Sequence, residues 1–150
     1  MSERILVTGA TGFVGGPLIT RLAAEPGFEI WGAARAKRGD SPFAFIAVGE
    51  IDGDTDWSEA LQGQRVVVHA AARAHIMDDS AADPLTEFRR VNVGGTLNLA
   101  RQAAEAGIRR FVFISSIKVN GEQTARGKGF TPEDTPAPGD AYGLSKLEAE

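Results

Sequence analysis

Tyr142 and Lys146 stand four residues apart near the end of the 150-residue sequence. On a helix, this spacing places the two side chains on one face, a turn apart. An ammonium group in that position favours the phenolate form, which would make the tyrosine a proton-transfer group near neutral pH. Alone the pair is weak evidence, because the same spacing also occurs in ordinary surface ion or packing pairs. Its meaning therefore depends on the elements that position it.

Composition narrows the class of protein. Hydrophobic residues make up 43% of the chain and charged residues 24%, as in a soluble globular domain. The net charge of −4 and the pI near 5.2 argue against a nucleic-acid partner. The absence of cysteine excludes disulfides, thiolate metal sites and a cysteine nucleophile. Because neither a signal peptide nor an apolar run of about 18 residues is present, we expect a cytoplasmic protein without membrane contact.

Short apolar runs alternate with longer segments of helical periodicity, which is typical of βαβ units around a parallel sheet. The sequence therefore predicts an α/β fold. The predicted strands are Arg4–Thr8, Phe28–Ala34, Phe43–Val48, Arg65–Ala70 and Arg110–Ser115. The predicted helices are Val14–Ala24, a short turn at Trp57–Leu61, a long helix from Asp83-Pro84 to about Ala106, and a final helix capped by Asp140.

A glycine-rich turn, Gly9-Ala10-Thr11-Gly12-Phe13-Val14-Gly15, lies where the first strand meets the first helix. Glycines at such a turn allow a tight bend, close approach of a pyrophosphate and close helix–strand contact. The alternative is that the glycines only allow a tight turn between strand and helix and bind no cofactor. In the first interpretation the cofactor contacts are Gly9, Thr11, Gly12, Phe13, Val14 and Gly15.

The end of the second strand bears on the choice between NAD and NADP. An acid there would bind the ribose 2′-hydroxyl, whereas an arginine accommodates a 2′-phosphate. The chain has Arg35 at this position, then Lys37 and Arg38, and no carboxylate before Asp40. The sequence therefore predicts NAD or NADP as cofactor and slightly favours NADP. NAD stays open if Arg35 stacks on adenine or faces solvent.

Five motifs in register resemble a known family. They are the glycine turn, His69-Ala70-Ala71 after the fourth strand, Asn92-Val93-Gly94-Gly95-Thr96, Ser115-Ser116 followed by Ile117 to Gly121, and Tyr142 with Lys146. Together they resemble the extended short-chain dehydrogenase/reductases, in the NAD-dependent epimerase/dehydratase branch that acts on nucleotide sugars. The resemblance implies a Rossmann-type doubly wound parallel sheet flanked by helices over residues 1–150. It also implies an incomplete domain, with further strands and a C-terminal substrate domain beyond Glu150.

The resemblance also implies roles for single residues. Ser116 would hydrogen-bond the substrate oxygen, Tyr142 would be the acid/base, and Lys146 would hold the nicotinamide ribose. Asn92 would kink the long helix and help organise the site's water. Further cofactor contacts would come from Glu50, Ile51, Ala70, Ala71, Ala72 and Ser115.

The activity that the resemblance implies is C4 epimerisation or 4-keto reduction of a nucleotide sugar, with a UDP-hexose as substrate and a homodimer as a compatible assembly. Ile117-Lys118 stands where dehydrating relatives carry acids, which disfavours dehydration. Asn120 replaces a tyrosine found in many relatives near the substrate. Two alternatives stay open: reduction of a non-sugar carbonyl compound, and an NAD(P)-binding sensor without turnover.

Some conspicuous residues favour ordinary structural roles. His69 ends an apolar strand and is expected to be a structural histidine. His75, Asp78 and Asp79 are expected in a solvated loop, and no spacing indicates a metal site. The sequence further predicts that Trp31 and Trp57 are packing residues and that Glu133-Asp134 forms an exposed turn.

Overall fold

The strands form one parallel sheet in the order β3-β2-β1-β4-β5. The computed structural model describes residues 2–36, 43–74 and 83–150. The strands are β1 (Glu3–Thr8), β2 (Phe28–Ala34), β3 (Ala44–Ala47), β4 (Val66–His69) and β5 (Arg110–Phe113). This order confirms the predicted α/β doubly wound sheet. The direction of winding reverses between β1 and β4, and ligands of such sheets bind outside the strand ends at this point.

Helices cover both faces of the sheet. They are α1 (Gly15–Ala23), α2 (Ser58–Leu61), α3 (Pro84–Phe88), α4 (Gly95–Glu105) and α5 (Ala141–Ala149). Leu6 of β1 packs on one face with Trp57, Val67 and Leu99. Its neighbour Val7 packs on the other face with Ile19 and Ile30. Alternate residues of one strand therefore enter two cores, as a doubly wound sheet requires. Trp57 is fully buried, which confirms its predicted packing role.

The long helix begins as predicted but changes its winding. Asp83 caps it by accepting a hydrogen bond from the Thr86 N–H at 3.2 Å, and Pro84 occupies the first turn. Between α3 and α4, the segment Arg89–Gly94 is a π-helix. The helix ends at Glu105, and Gly107 follows its cap residue with a φ of +74°, which suits glycine. Three elements therefore replace the single helix expected from the sequence.

Several expectations concern residues outside the described part of the chain. These are Lys37, Arg38 and Asp40 after β2, and His75, Asp78 and Asp79 after β4. Among the helices of the described ranges, none combines the length and the apolar character needed to cross a membrane.

Candidate active site

A cleft of about 560 Å³ opens where β1 and β4 end. The structure brings every residue predicted at the cofactor to its wall. These residues are Gly9, Thr11, Gly12, Phe13, Val14, Gly15, Arg35, Glu50, Ile51, Ala70, Ala71, Ala72, Ser115, Tyr142 and Lys146. Sequence reasoning missed further lining residues, namely Ala34, Arg73, Ala74, Arg90, Val91 and Ile114. These residues therefore lie around one cleft, and their contacts with a cofactor stay predictions.

The glycine turn packs so closely on neighbouring backbone that Gly9 and Gly15 leave no room for a side chain. Gly9 has a φ of +63°, and a Cβ there would lie 2.8 Å from the backbone of Ala71. A Cβ on Gly15 would lie 2.7 Å from the carbonyl carbon of Gly9. The intervening residues Gly12 and Phe13 are exposed at the start of α1. Since free N–H groups at a helix N-terminus bind anions, this turn suits a pyrophosphate.

Lys146 is buried at the inner end of the cleft. Its Nζ donates a hydrogen bond to the Ile114 carbonyl at 2.6 Å and lies 4.0 Å from the centroid of the Phe113 ring. Burial lowers the pKa of Lys146 to about 8, and the Glu150 carboxylate opposes part of that shift. The ammonium is therefore fixed in place by a carbonyl and an aromatic face.

Tyr142 is half-buried on the first turn of α5. The side chain of Asp140 caps this helix by accepting a hydrogen bond from the Gly143 N–H at 2.6 Å, as predicted. The edge of the Tyr142 ring meets Phe88, with 6.1 Å between centroids. Phe88 thus connects the tyrosine to the long helix.

Ser116 begins the short 3₁₀ turn Ile117–Val119 that follows β5. Its Oγ accepts a hydrogen bond from the Lys118 N–H at 3.3 Å. Its neighbour Ser115 lines the cleft and donates its hydroxyl to Glu150, whereas Ser116 is not among the lining residues of the described chain.

Asn92 lies in the π-helical segment and is buried. Its Oδ1 accepts from the Arg73 N–H at 2.7 Å, and its Nδ2 donates to the Arg73 carbonyl at 3.1 Å. The same Nδ2 donates to Ser145 Oγ at 2.9 Å, and Ser145 donates to the Tyr142 carbonyl at 2.8 Å. Asn92 therefore joins the loop after β4 to the helix that carries Tyr142.

Replacing Asn92 with alanine is expected to lower the free energy of unfolding by about 2–4 kcal/mol, because the Arg73 backbone N–H and carbonyl and the buried Ser145 hydroxyl would each lose a hydrogen bond. Chemical denaturation of the wild type and the variant would measure this difference in free energy. Leu97→Ala is the control, since Leu97 is 57% exposed on the adjoining helix and should change stability by no more than about 0.5 kcal/mol. Equal effects for the two variants would contradict the prediction.

His69 occupies the structural position expected from the sequence. Its Nδ1 lies 2.7 Å from Thr8 Oγ1, and its Nε2 lies 3.0 Å from Thr96 Oγ1. Burial, and next the positive charge of Lys146, lower the pKa of His69 to about 4. The described ranges contain no group of three or more histidine, aspartate or glutamate side chains arranged as metal ligands.

The pKa of His69 implies a pH dependence of stability. The unfolded chain binds a proton on this histidine near pH 6.5, whereas the folded chain binds it only near pH 4. As the pH is lowered from 6.5 to about 4, the free energy of unfolding should therefore fall by about 3 kcal/mol because of His69 alone. Denaturation curves of the wild type and His69→Gln would measure this, since the variant should lack that part of the decline. Parallel pH profiles would contradict it.

Comparison with known proteins places the chain in a family. The NAD dependent epimerase/dehydratase family matches residues 5–150. UDP-glucose 4-epimerase of Vibrio cholerae is 50% identical over 150 residues, which cover 100% of this chain and 46% of that protein. A 3-beta-hydroxysteroid dehydrogenase of Mycolicibacterium neoaurum is 34% identical over 155 residues, covering 98% of this chain and 41% of that protein.

A solved structure agrees with these matches. The crystal structure of UDP-glucuronic acid 4-epimerase from Bacillus cereus in complex with NAD has a TM-score of 0.81 at 26% identity, covering 98% of this chain and 50% of that chain. The chain thus spans about half the length of the relatives it matches. On the match to residues 5–150, the chain belongs to the NAD dependent epimerase/dehydratase family.

Proposed function

We propose that this chain is the cofactor-binding and catalytic half of a nucleotide-sugar 4-epimerase or 4-keto reductase. The observation that carries the proposal is the 50% identity to a UDP-glucose 4-epimerase along the whole chain. The cleft at the carboxyl end of the sheet supports it, because the glycine turn and the Tyr142–Lys146 pair line the same space. The proposed substrate is a UDP-hexose, and the proposed cofactor is NAD or NADP.

The chain's own residues would bind, orient and move a proton. Tyr142 would accept the proton of the sugar C4 hydroxyl and return it to the same oxygen. Ser116 would donate a hydrogen bond to that oxygen, and the ammonium of Lys146 would donate to the ribose hydroxyls. The nicotinamide, when bound, supplies the hydride acceptor and donor.

The residues after Ser116 disfavour dehydration. Dehydration needs a further acid/base pair, and in this chain Ile117 and Lys118 follow the serine. Ile117 is 63% exposed, and Lys118 forms ion pairs with Glu122 and Asp140. Neither side chain supplies a carboxylic acid there, so we favour epimerisation or reduction.

A reductase of a non-sugar carbonyl compound is the second candidate. The 34% identity to a 3-beta-hydroxysteroid dehydrogenase supports it. A third reading, an NAD(P)-binding sensor without turnover, is disfavoured because a pure binding module has no need of Ser116, Tyr142 and Lys146 together.

The test uses the complete gene product in three assays: UDP-glucose or UDP-galactose with NAD, a 4-keto nucleotide sugar with NADH, and a 3β-hydroxysteroid with NAD. We expect inversion at C4 of a UDP-hexose without net formation of NADH. NMR of the sugar would detect the inversion. Stoichiometric consumption of NADH with a keto-sugar would identify a reductase instead. Turnover of the steroid alone would overturn the sugar assignment, and binding of NAD without any turnover would favour the sensor.

Arg35 allows a separate prediction on cofactor choice. Its exposed side chain lines the cleft after β2, and its carbonyl accepts a hydrogen bond from the Gly49 N–H at 3.2 Å. If the guanidinium meets a 2′-phosphate, Arg35→Gln should weaken NADPH binding about 10-fold and leave NADH binding nearly unchanged. Calorimetry would measure both, with the exposed Arg109→Gln as control. Equal losses for the two cofactors would show that Arg35 does not contact the phosphate.

We also propose a cytoplasmic location and a homodimer. The location continues the expectation drawn from the sequence, and the homodimer is an assembly compatible with the family resemblance. Cell fractionation and light scattering of the complete gene product would test the two proposals separately.

A further inference from the structure

Lys118 lies two residues after Ser116, within the 3₁₀ turn. Its backbone N–H is the donor to Ser116 Oγ at 3.3 Å. Its side-chain Nζ donates to Asp140 Oδ2 at 2.6 Å and to both carboxylate oxygens of Glu122, at 3.0 and 3.2 Å. One residue thus contacts the serine on one side and the start of α5 on the other.

Asp140 uses its two carboxylate oxygens for different partners. Oδ2 accepts from Lys118, while Oδ1 accepts from the Gly143 N–H at 2.6 Å and so caps the helix. Gly143 also packs tightly against the Lys118 carbonyl, because a Cβ at Gly143 would lie only 2.7 Å from that oxygen. Since Gly143 follows Tyr142 directly, the turn that bears Ser116 and the turn that bears Tyr142 are joined at two points.

We propose that Lys118 is a positioning residue, which holds Ser116 and Tyr142 at a fixed separation by joining the 3₁₀ turn to the N-terminal cap of α5. The inference rests on the proposed function, in which both residues act on one substrate oxygen. Hydrogen bonds to Asp140 and then to Glu122 raise the pKa of Lys118 above its ordinary value.

The exposure of the Lys118–Asp140 ion pair allows its effect on turnover to be distinguished from an effect on folding stability. The side chains of Lys118 and Asp140 are 34% and 42% exposed. Ion pairs of this exposure contribute little to folding. A small displacement of reacting groups, in contrast, lowers rates strongly, and about 1 Å can cost 100-fold. Loss of the pair should therefore affect turnover far more than stability.

The test is Lys118→Met in the complete gene product. We expect kcat for C4 inversion to fall about 10- to 100-fold, with KM for the UDP-hexose, NAD affinity and melting temperature nearly unchanged. Lys118→Arg should restore most of the rate because it keeps the charge. Asp140→Asn keeps a good helix cap but removes the charge, so it should slow turnover similarly, and the double variant should be no slower than the slower single variant.

Lys128→Met is the matched control, because it removes the same charge from an exposed residue of the same loop and should leave turnover unchanged. Wild-type turnover in Lys118→Met would overturn the inference, provided that Ser116→Ala and Tyr142→Phe lose activity. If those two variants also keep their activity, the proposed function itself fails. A parallel loss of melting temperature and NAD affinity, or no rescue by arginine, would make Lys118 a structural residue and would also overturn the inference.

Discussion

Tyr142→Phe is expected to lower kcat of the complete gene product about 1,000-fold, because it removes the group that transfers the proton. The contacts made by the ring and by the backbone are kept. Phenylalanine keeps the ring that meets Phe88 edge-on at 6.1 Å between centroids. The hydrogen bond from Ser145 at this position goes to the backbone carbonyl and is kept as well. Stability and NAD affinity should therefore stay close to those of the wild type.

Steady-state rates of C4 inversion, with NAD affinity measured by calorimetry, test this expectation. Ser58→Ala is the control, because it removes an exposed hydroxyl on α2, away from the residues that line the cleft. A variant that retains wild-type kcat would show that Tyr142 is not the acid/base. A loss confined to NAD affinity would instead make it a cofactor-binding residue.

Gly15→Ala is expected to lower the free energy of unfolding by more than about 3 kcal/mol, whereas Gly16→Ala should be neutral or raise it by up to about 1 kcal/mol. A Cβ on Gly15 would lie 2.7 Å from the Gly9 carbonyl carbon and 3.1 Å from Ala10 Cα. Both contacts are with backbone, which cannot move aside without opening the turn. A Cβ on Gly16 would meet only the Ala10 carbonyl oxygen at 3.7 Å, an ordinary contact.

The adjacent pair makes the experiment internally controlled, since both glycines lie in α1 and gain the same methyl group. Denaturant unfolding gives the two stabilities, and NAD titration reports on the turn. Gly15→Ala should lose NAD binding, because opening the turn would displace the N–H groups of the helix N-terminus. Equal stability of the two variants would contradict the close packing of α1 on the turn.

The parts of the site that follow from local sequence could be predicted. The glycine turn needs only a strand, a helix and glycine spacing, and the alignment of Tyr142 with Lys146 needs only the helical repeat. The family resemblance implied a kink of the long helix at Asn92, but hydrophobic periodicity does not reveal that the kinked part is a π-helical segment. For that reason Arg90 and Val91 were missed as cleft residues.

Long-range polar contacts form the second group that sequence reasoning missed. The bond between Lys118 and Asp140 joins residues 22 positions apart, and that between Asn92 and Ser145 joins residues 53 apart. Neither has a local pattern, because each depends on how the loop after β5 returns to the sheet. Motif matches indicated that Asn92 and Ser116 matter, but not which groups they would bind.

The π-helical segment Arg89–Gly94 has a consequence for insertions and deletions. A π-helical turn holds an extra residue relative to the α-helix, so deletion of one residue there would allow an uninterrupted α-helix. The wider turn accommodates that residue without rotating the flanking helices, so α3 and α4 would keep their orientation and the residues within the segment would move. Asn92 would turn away from Ser145 while the helix kept its backbone hydrogen bonds. At this point of the gene, loss of a single codon could abolish the site and spare the fold.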